Sequence, residues 1–420
     1  MNSKERIKKA VSIEQPDILP VDFGGSTTTG IHVCNVYNLR QYWGLDSKNT
    51  PVKVTEPYQM LGEIEDDLRE VLGIDVAGLF WRSTFFGFRN ENWREWEFHG
   101  VPVLVPDGFN TNKNEDGSIF QYAEGDKNYP PCAKLPKGGY FIDALKRQKP
   151  FREEDLDPKD NLEEYQLYSK EDLKELKEDA EKIFNNTEYA ILGQIGSSGF
   201  GDIAFVPGMQ LKKPKGIRDE TEWYISTLTR RDYLKSVFSK QCEISIENYN
   251  RINNTIGEML DIMYITGTDF GMQNGLITSI EAYRDLYKPF HLKVNKWIHE
   301  NTGWKTFIHS CGSVVDLIPE FIEAGFDILN PVQISAKGMN PLKLKSKYGK
   351  YITFWGGGVD TQKVLSFGTP DDVREDVKRN IEIFFKNGGF VFSSVHNVMG
   401  NVPLENLIAM FEVIHSYRNI

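Results

Sequence analysis

The feature that most constrains this chain is a rhythm in its C-terminal half. Five short runs of β-branched and aromatic residues each end in a polar or glycine-rich turn. Residues 261–265 (DIMYI) lead into Thr266, Gly267, Thr268 and Asp269, and residues 305–308 (KTFI) into His309, Ser310, Cys311 and Gly312. Residues 326–329 (FDIL) lead into Asn330, Pro331, Val332 and Gln333. Residues 351–354 (YITF) lead into Trp355, Gly356, Gly357, Gly358, Val359 and Asp360, and residues 389–392 (GFVF) into Ser393, Ser394, Val395, His396 and Asn397. Amphipathic helices are expected over residues 314–323, 370–386 and 406–416. Asp371 and Asp372 open the second, where acids suit the helix dipole. Continuous apolar strands alternating with helices imply a parallel sheet buried on both faces.

Three more strand-like runs lie upstream: residues 18–23 (ILPVDF), 75–80 (DVAGLF) and 189–194 (YAILGQ). Eight parallel strands with intervening helices predict a closed α/β barrel of the (β/α)8 TIM type rather than an open sheet. Such a barrel gathers Asp22, Gln194, Asp269, His309, Cys311, Gln333, Asp360 and His396 around one mouth, because all fall at or just past strand C-termini. The long gap between the second and third runs holds Trp93, Trp96, a VPVLV run at 101–105, an Asn/Asp/Gly-rich turn at 110–117 and a charged helix near 170–184. It reads as a β-hairpin/helical insertion over residues 89–185 that caps the mouth within a single domain spanning 1–420. Residues 197–231 are expected as a long loop and helix on the same face.

The balance of 49 basic against 60 acidic residues, a net charge of -11, disfavours a phosphate backbone, so no nucleic-acid partner is expected. No run nears ~18 uninterrupted apolar residues, so no membrane partner is expected either. Lys4, Glu5, Arg6, Lys8 and Lys9 give a start without the apolar core of a signal peptide, and the expected location is the cytoplasm. Cys34, Cys132, Cys242 and Cys311 are scattered, which points to free thiols rather than a disulfide framework.

The sharpest chemical signal is His309-Ser310-Cys311, with His396 far downstream. An imidazole and a thiolate at one strand end suit a borderline-soft metal ion such as zinc. A closed barrel brings His396 to the same mouth, and three protein ligands leave a fourth position open for a reactant. H-x-C is a short motif, and spacing alone slightly favours a strand cap, a small core residue and a backbone hydrogen bond; the position of all three at strand ends of one barrel favours the metal. Asp269 and Asp360 are the candidate catalytic carboxylates, as a general base or as partners that orient a metal-bound histidine. For Asp360 a helix N-cap is an equal alternative. Asp22, Gln194, Gln273, Gln333 and Asn397 are the candidate substrate-binding side chains, although Asp22 beside Gly24 and Gly25 also fits a plain turn. Gly356 to 358 and the GQIGSSG run at 193–199 match neither a P-loop nor GxGxxG and read as mouth turns. Phe80, Trp81, Phe85, Phe86 and Phe88 either wall an apolar ligand site or pack the core.

Three ordered C-terminal stretches carry a family likeness: residues 309–333 (HSCGSVVDLIPEFIEAGFDILNPVQ), 354–365 (FWGGGVDTQKVL) and 388–410 (GGFVFSSVHNVMGNVPLENLIAM). With the weaker PDILPVDFGGSTTTGI at 16–31, they resemble the uroporphyrinogen decarboxylase (URO-D) superfamily. The resemblance implies an α/β barrel and one of two activities. Decarboxylases of this superfamily carry an arginine-rich N-terminal motif for the substrate carboxylates, and the corresponding stretch here, VDFGGSTTTGI, has no arginine. The methyltransferase branch binds zinc through His-x-Cys and a distant Cys. His309 and Cys311 match the first two, and the third position, set by its distance to the VPLEN run at 402–406, falls on His396. The resemblance therefore implies a Zn²⁺-dependent methyltransferase, with His309, Cys311 and His396 as ligands. It would move a methyl group between a small methylated molecule or thiol and a corrinoid (methylcobalamin) carried by a partner protein, since the chain has no DxHxxG cobalamin motif. The alternative is a URO-D-type lyase acting on a porphyrin-like carboxylate without metal. A homodimer is the oligomeric form left open.

Overall fold

A computed structural model describes residues 1–418. Seven parallel strands form one sheet whose spatial order follows the chain: β1 (Val76–Phe80), β2 (Ala190–Gln194), β3 (Ile262–Thr266), β4 (Lys305–His309), β5 (Ile328–Asn330), β6 (Thr353–Trp355) and β7 (Phe390–Val391). The run at 18–23 contributes a single parallel bridge, Val21 to Phe392. The Asp22 N–H donates to the Phe392 carbonyl and the Phe392 N–H to that of Pro20, while the Asp75 N–H donates to the Val21 carbonyl. This segment therefore sits between β7 and β1 and closes the ring. Pro20 has no N–H to give, which keeps the ladder short. The result is the α/β TIM-barrel-like fold expected from the strand rhythm.

Side chains alternate across a strand, and one set points into the ring. Leu192, Ile262, Tyr264, Phe307, Ile328, Trp355 and Val391 form a buried inner cluster, which helix Ser3–Val11 joins with Ile7, Ala10 and Val11. Two residues further along β2, β4 and β5, the same inward register reaches Gln194, His309 and Asn330. At the opposite, N-terminal end of β1, buried Asp75 binds Arg6 at 2.5 Å and Arg418 at 2.6 Å, tying both ends of the chain to the barrel floor.

The helices follow local signals. Pro370–Phe384 starts on a Thr369/Asp372 capping box. The helix expected over 314–323 forms only as Ile318–Glu323, because residues 315–317 are a turn and Pro319 suits a first turn, where its missing N–H is not needed. The insertion contains the expected hairpin, Arg94–Phe98 against Val101–Val105. Its sheet also takes in Val52–Glu56 and Leu61–Gly62, which precede β1, so the cap draws on residues outside 89–185. Helix Lys170–Asn186 packs against β1 and against helix Arg231–Ile256, which in turn packs against Glu220–Thr229 and Lys288–Asn301. Among the described residues no helix is long and apolar enough to cross a membrane.

Candidate metal centre

β4 ends on His309, and its lateral neighbour in register is Asn330 at the end of β5. The two side chains meet at 2.6 Å between His309 Nδ1 and Asn330 Oδ1. Asn330 donates Nδ2–H to the Trp355 carbonyl at 2.9 Å, which fixes its oxygen toward the histidine. His309 must then carry its proton on Nδ1, leaving the Nε2 lone pair free. A metal-ligating histidine uses this arrangement, with the second ring nitrogen held by a protein acceptor. Burial lowers the His309 pKa to about 4, so the ring is neutral near pH 7.

The chain turns after His309 with four consecutive N–H groups tied down. Ser310 donates to the Asn330 carbonyl, Cys311 to Asp269 Oδ1 at 2.6 Å, Gly312 to Gln333 Oε1 at 2.7 Å and Ser313 to the Met272 carbonyl. Gly312 has φ +89°, and a Cβ there would come within 2.3 Å of the Gly271 backbone, so only glycine fits. This turn sets Cys311 Sγ 3.4 Å from His309 Nε2. His396 enters from the loop after β7, its ring 5.3 Å from that of His309 and inclined by 76°. Its pKa is also lowered to about 4, by burial and then by His309. Burial, then the Asp269 charge, raises the Cys311 thiol well above its ordinary range.

One donor atom from each of His309, Cys311 and His396 lies within 4.8 Å of the others. Metal bonds of about 2.0–2.3 Å at tetrahedral angles place donors roughly 3.3–3.6 Å apart, so the set fits a zinc-type ion after a small contraction. One thiolate and two neutral imidazoles would leave a divalent ion with a net positive charge. Asp269 Oδ1 lies 4.0 Å from His309 Nε2, so a carboxylate stands beside that charge.

The remaining candidates mostly hold loops. Gln333 grips Gly312 and also donates to Gln273, whose own amide donates to the Ser335 carbonyl, so both brace the Cys311 turn. Asn397 accepts from the Gly30 N–H and donates to the Thr27 carbonyl and Gln59, anchoring the loop beside His396. Gln194 bonds the Thr27 backbone and hydroxyl. Asp22 is fully buried, accepts from Trp355 Nε1 and the Gly25 N–H, and has its pKa raised to about 6 by burial. Asp360 stands outside the triad: its Oδ1 accepts from the N–H groups of Gln362 and Lys363, the capping use that its sequence position also allowed. Phe85 stacks on Tyr58 in the cap, whereas Phe86 is fully buried.

Two residues escaped the sequence reading. Asn330 carried the same signal as its neighbours, an amide at a strand end, but its role depends on strand register. Asp202 lies in the long loop after β2, where no periodicity marks it. It is buried, accepts from the Ala204 N–H at 3.0 Å, and has its pKa raised to about 7 by burial, with Asp269 adding to the shift.

The fold and donor set define an α/β-barrel protein with a three-donor, metal-type cluster at the C-terminal mouth. Residues 216–417 match the family model for uroporphyrinogen decarboxylase (URO-D). A solved structure of a methyltransferase from Methanosarcina mazei is similar in fold, with a TM-score of 0.55 at 15% sequence identity, covering 100% of this chain and 99% of that one. No curated protein matches the chain by sequence.

Proposed function

We propose that this protein is a zinc-dependent methyltransferase that moves a methyl group between a small methylated molecule or thiol and a corrinoid carried by a partner protein. The observation that carries the reading is the convergence of His309 at the end of β4, Cys311 in the turn after it and His396 in the loop after β7. The fold likeness to a methyltransferase supports it. His309, Cys311 and His396 would hold the ion and leave a position for the reactant. Bound zinc supplies Lewis acidity, which lowers the pKa of a thiol or polarises the heteroatom that bears the methyl group. Asn330 keeps the His309 lone pair aimed inward. Asp269 takes the proton released by a thiol acceptor, or returns one to the heteroatom that loses its methyl group. Gln333 and Asn397 fix the two ligand loops, so donor and acceptor are aligned without reorganisation.

A porphyrin-like substrate would need cations for its carboxylates, and residues 21–31 contain neither lysine nor arginine. The test is metal analysis of the wild type beside His309→Ala, Cys311→Ala and His396→Ala, followed by methyl-transfer assays with corrinoid proteins. The expectation is a stoichiometric zinc that each substitution removes, with transfer lost in parallel. Full zinc retention in all three variants overturns the reading.

A further inference from the structure

The mouth that holds the metal-type donors also fixes the charge its reactant can carry. Two oxygens crowd over Gly267 at the end of β3: Asp202 Oδ2 and Tyr264 Oη each lie 2.8 Å from where a Cβ at 267 would stand. Gly267 does not adopt a positive φ, so its missing side chain serves space rather than backbone conformation. Asp202 is 8% exposed, held in the wall yet reachable. Tyr224, half-buried on helix Glu220–Thr229, has its hydroxyl pushed up to about 12 by burial and then by Asp269, Glu220 and Asp202, so three carboxylates surround it. Among the described residues no lysine or arginine pairs with any of the three, and the one ionic neighbour of Asp269 is His309. A divalent ion bound with the Cys311 thiolate carries one net positive charge, which Asp269 offsets. Asp202 and Glu220 remain in excess, and a largely buried carboxylate without a cation is unfavourable.

The neighbouring walls are aromatic. Phe205, whose N–H donates to the Asp202 carbonyl, packs on Phe85 at 4.7 Å, and Phe85 stacks on Tyr58 at 5.0 Å. These three rings are half-buried, so ring surface stays open beside the acid. Ring faces give a cation no hydrogen-bond acceptor but attract it through the quadrupole, which suits an ammonium whose N–H groups are replaced by alkyl groups. We propose that the small molecule taken at this mouth is an alkylated ammonium ion, its head set between Asp202 and the rings of Phe205 and Tyr224. The inference rests on the methyltransferase reading for the role of the site and adds the charge of its reactant.

The test is calorimetry on the full chain, as isolated and after zinc loading. Choline and tetramethylammonium are the probes, 3,3-dimethylbutanol is the neutral copy of choline's shape, and 3-mercaptopropionate is an anionic thiol. Choline should bind about tenfold or more tighter than dimethylbutanol, a modest share of one ion pair near a protein surface, and the anion should not bind. Asp202→Asn keeps the side chain's shape and should remove that preference by weakening choline alone, whereas structural loosening would weaken both ligands. Phe205→Leu should weaken choline about two- to fivefold. Equal binding of choline and dimethylbutanol, an unchanged preference in Asp202→Asn, tighter binding of the anion, or no binding of either cation each overturns the inference. Zinc content is read on the same samples. Charge selectivity in a chain that takes up no zinc upholds the inference and fails the methyltransferase reading; zinc uptake without charge selectivity does the reverse.

Discussion

Replacing Asn330 by alanine isolates what holds the metal-type centre in shape. The side chain is fully buried and makes three contacts: it accepts from His309 Nδ1 at 2.6 Å and from the Thr28 hydroxyl at 3.2 Å, and donates to the Trp355 carbonyl at 2.9 Å. Truncation strands those partners, at ~1–3 kcal/mol for each one left unsatisfied. It also frees the His309 ring to rotate and change tautomer. Loss of such a partner lowers metal affinity by about 10–100-fold, which corresponds to ~1.4–2.7 kcal/mol at 1.36 kcal/mol per decade. Competition against a chromophoric chelator measures zinc affinity directly, and a thermal melt reports folding. Asn330→Asp separates the two effects. It keeps an acceptor toward His309 but turns an oxygen toward the Trp355 carbonyl, so it should melt earlier and yet bind zinc close to the wild-type affinity. A folded Asn330→Ala variant with unchanged zinc affinity would refute the reasoning, as would an Asp variant as weak as the Ala variant.

Zinc affinity should rise about tenfold per pH unit between pH 6 and 8, because one thiol proton is released on binding while both imidazoles, lowered to about 4, are already neutral; chelator competition at several pH values checks this, and a flat profile would exclude Cys311 as a ligand. Asp202→Asn should stabilise the protein more at pH 8 than at pH 5. The folded-state pKa is raised to about 7 against 3.8 unfolded, so across pH 5 to 7 the folded state holds a proton that the unfolded state lacks, and stability falls as pH rises. Two pH units amount to ~3 kcal/mol, readable as the change in ΔΔG between urea melts at the two pH values. Asp75→Ala leaves the buried guanidiniums of Arg6 and Arg418 without their shared carboxylate, and should cost about 3–5 kcal/mol in the same melts.

The barrel was legible because its strands are buried on both faces, so each appears as a short apolar run closed by a turn. β4, with its polar end at His309, needed no tertiary information. The run at 18–23 was also visible, but its reduction to one bridge depends on how the last strand meets the first. His309 and Cys311 stand two residues apart and declare themselves locally, whereas His396 joins them only if the ring closes. Sequence alone therefore determined the strand order, the barrel class and the chemical type of each donor, because these follow from local periodicity and side-chain identity. Tertiary structure decided which amides reach ligand or loop, that Asn330 rather than Asp360 supports the centre, and that Asp202 is buried. Those outcomes depend on lateral strand register and on contacts between segments tens to hundreds of residues apart, which no local pattern encodes.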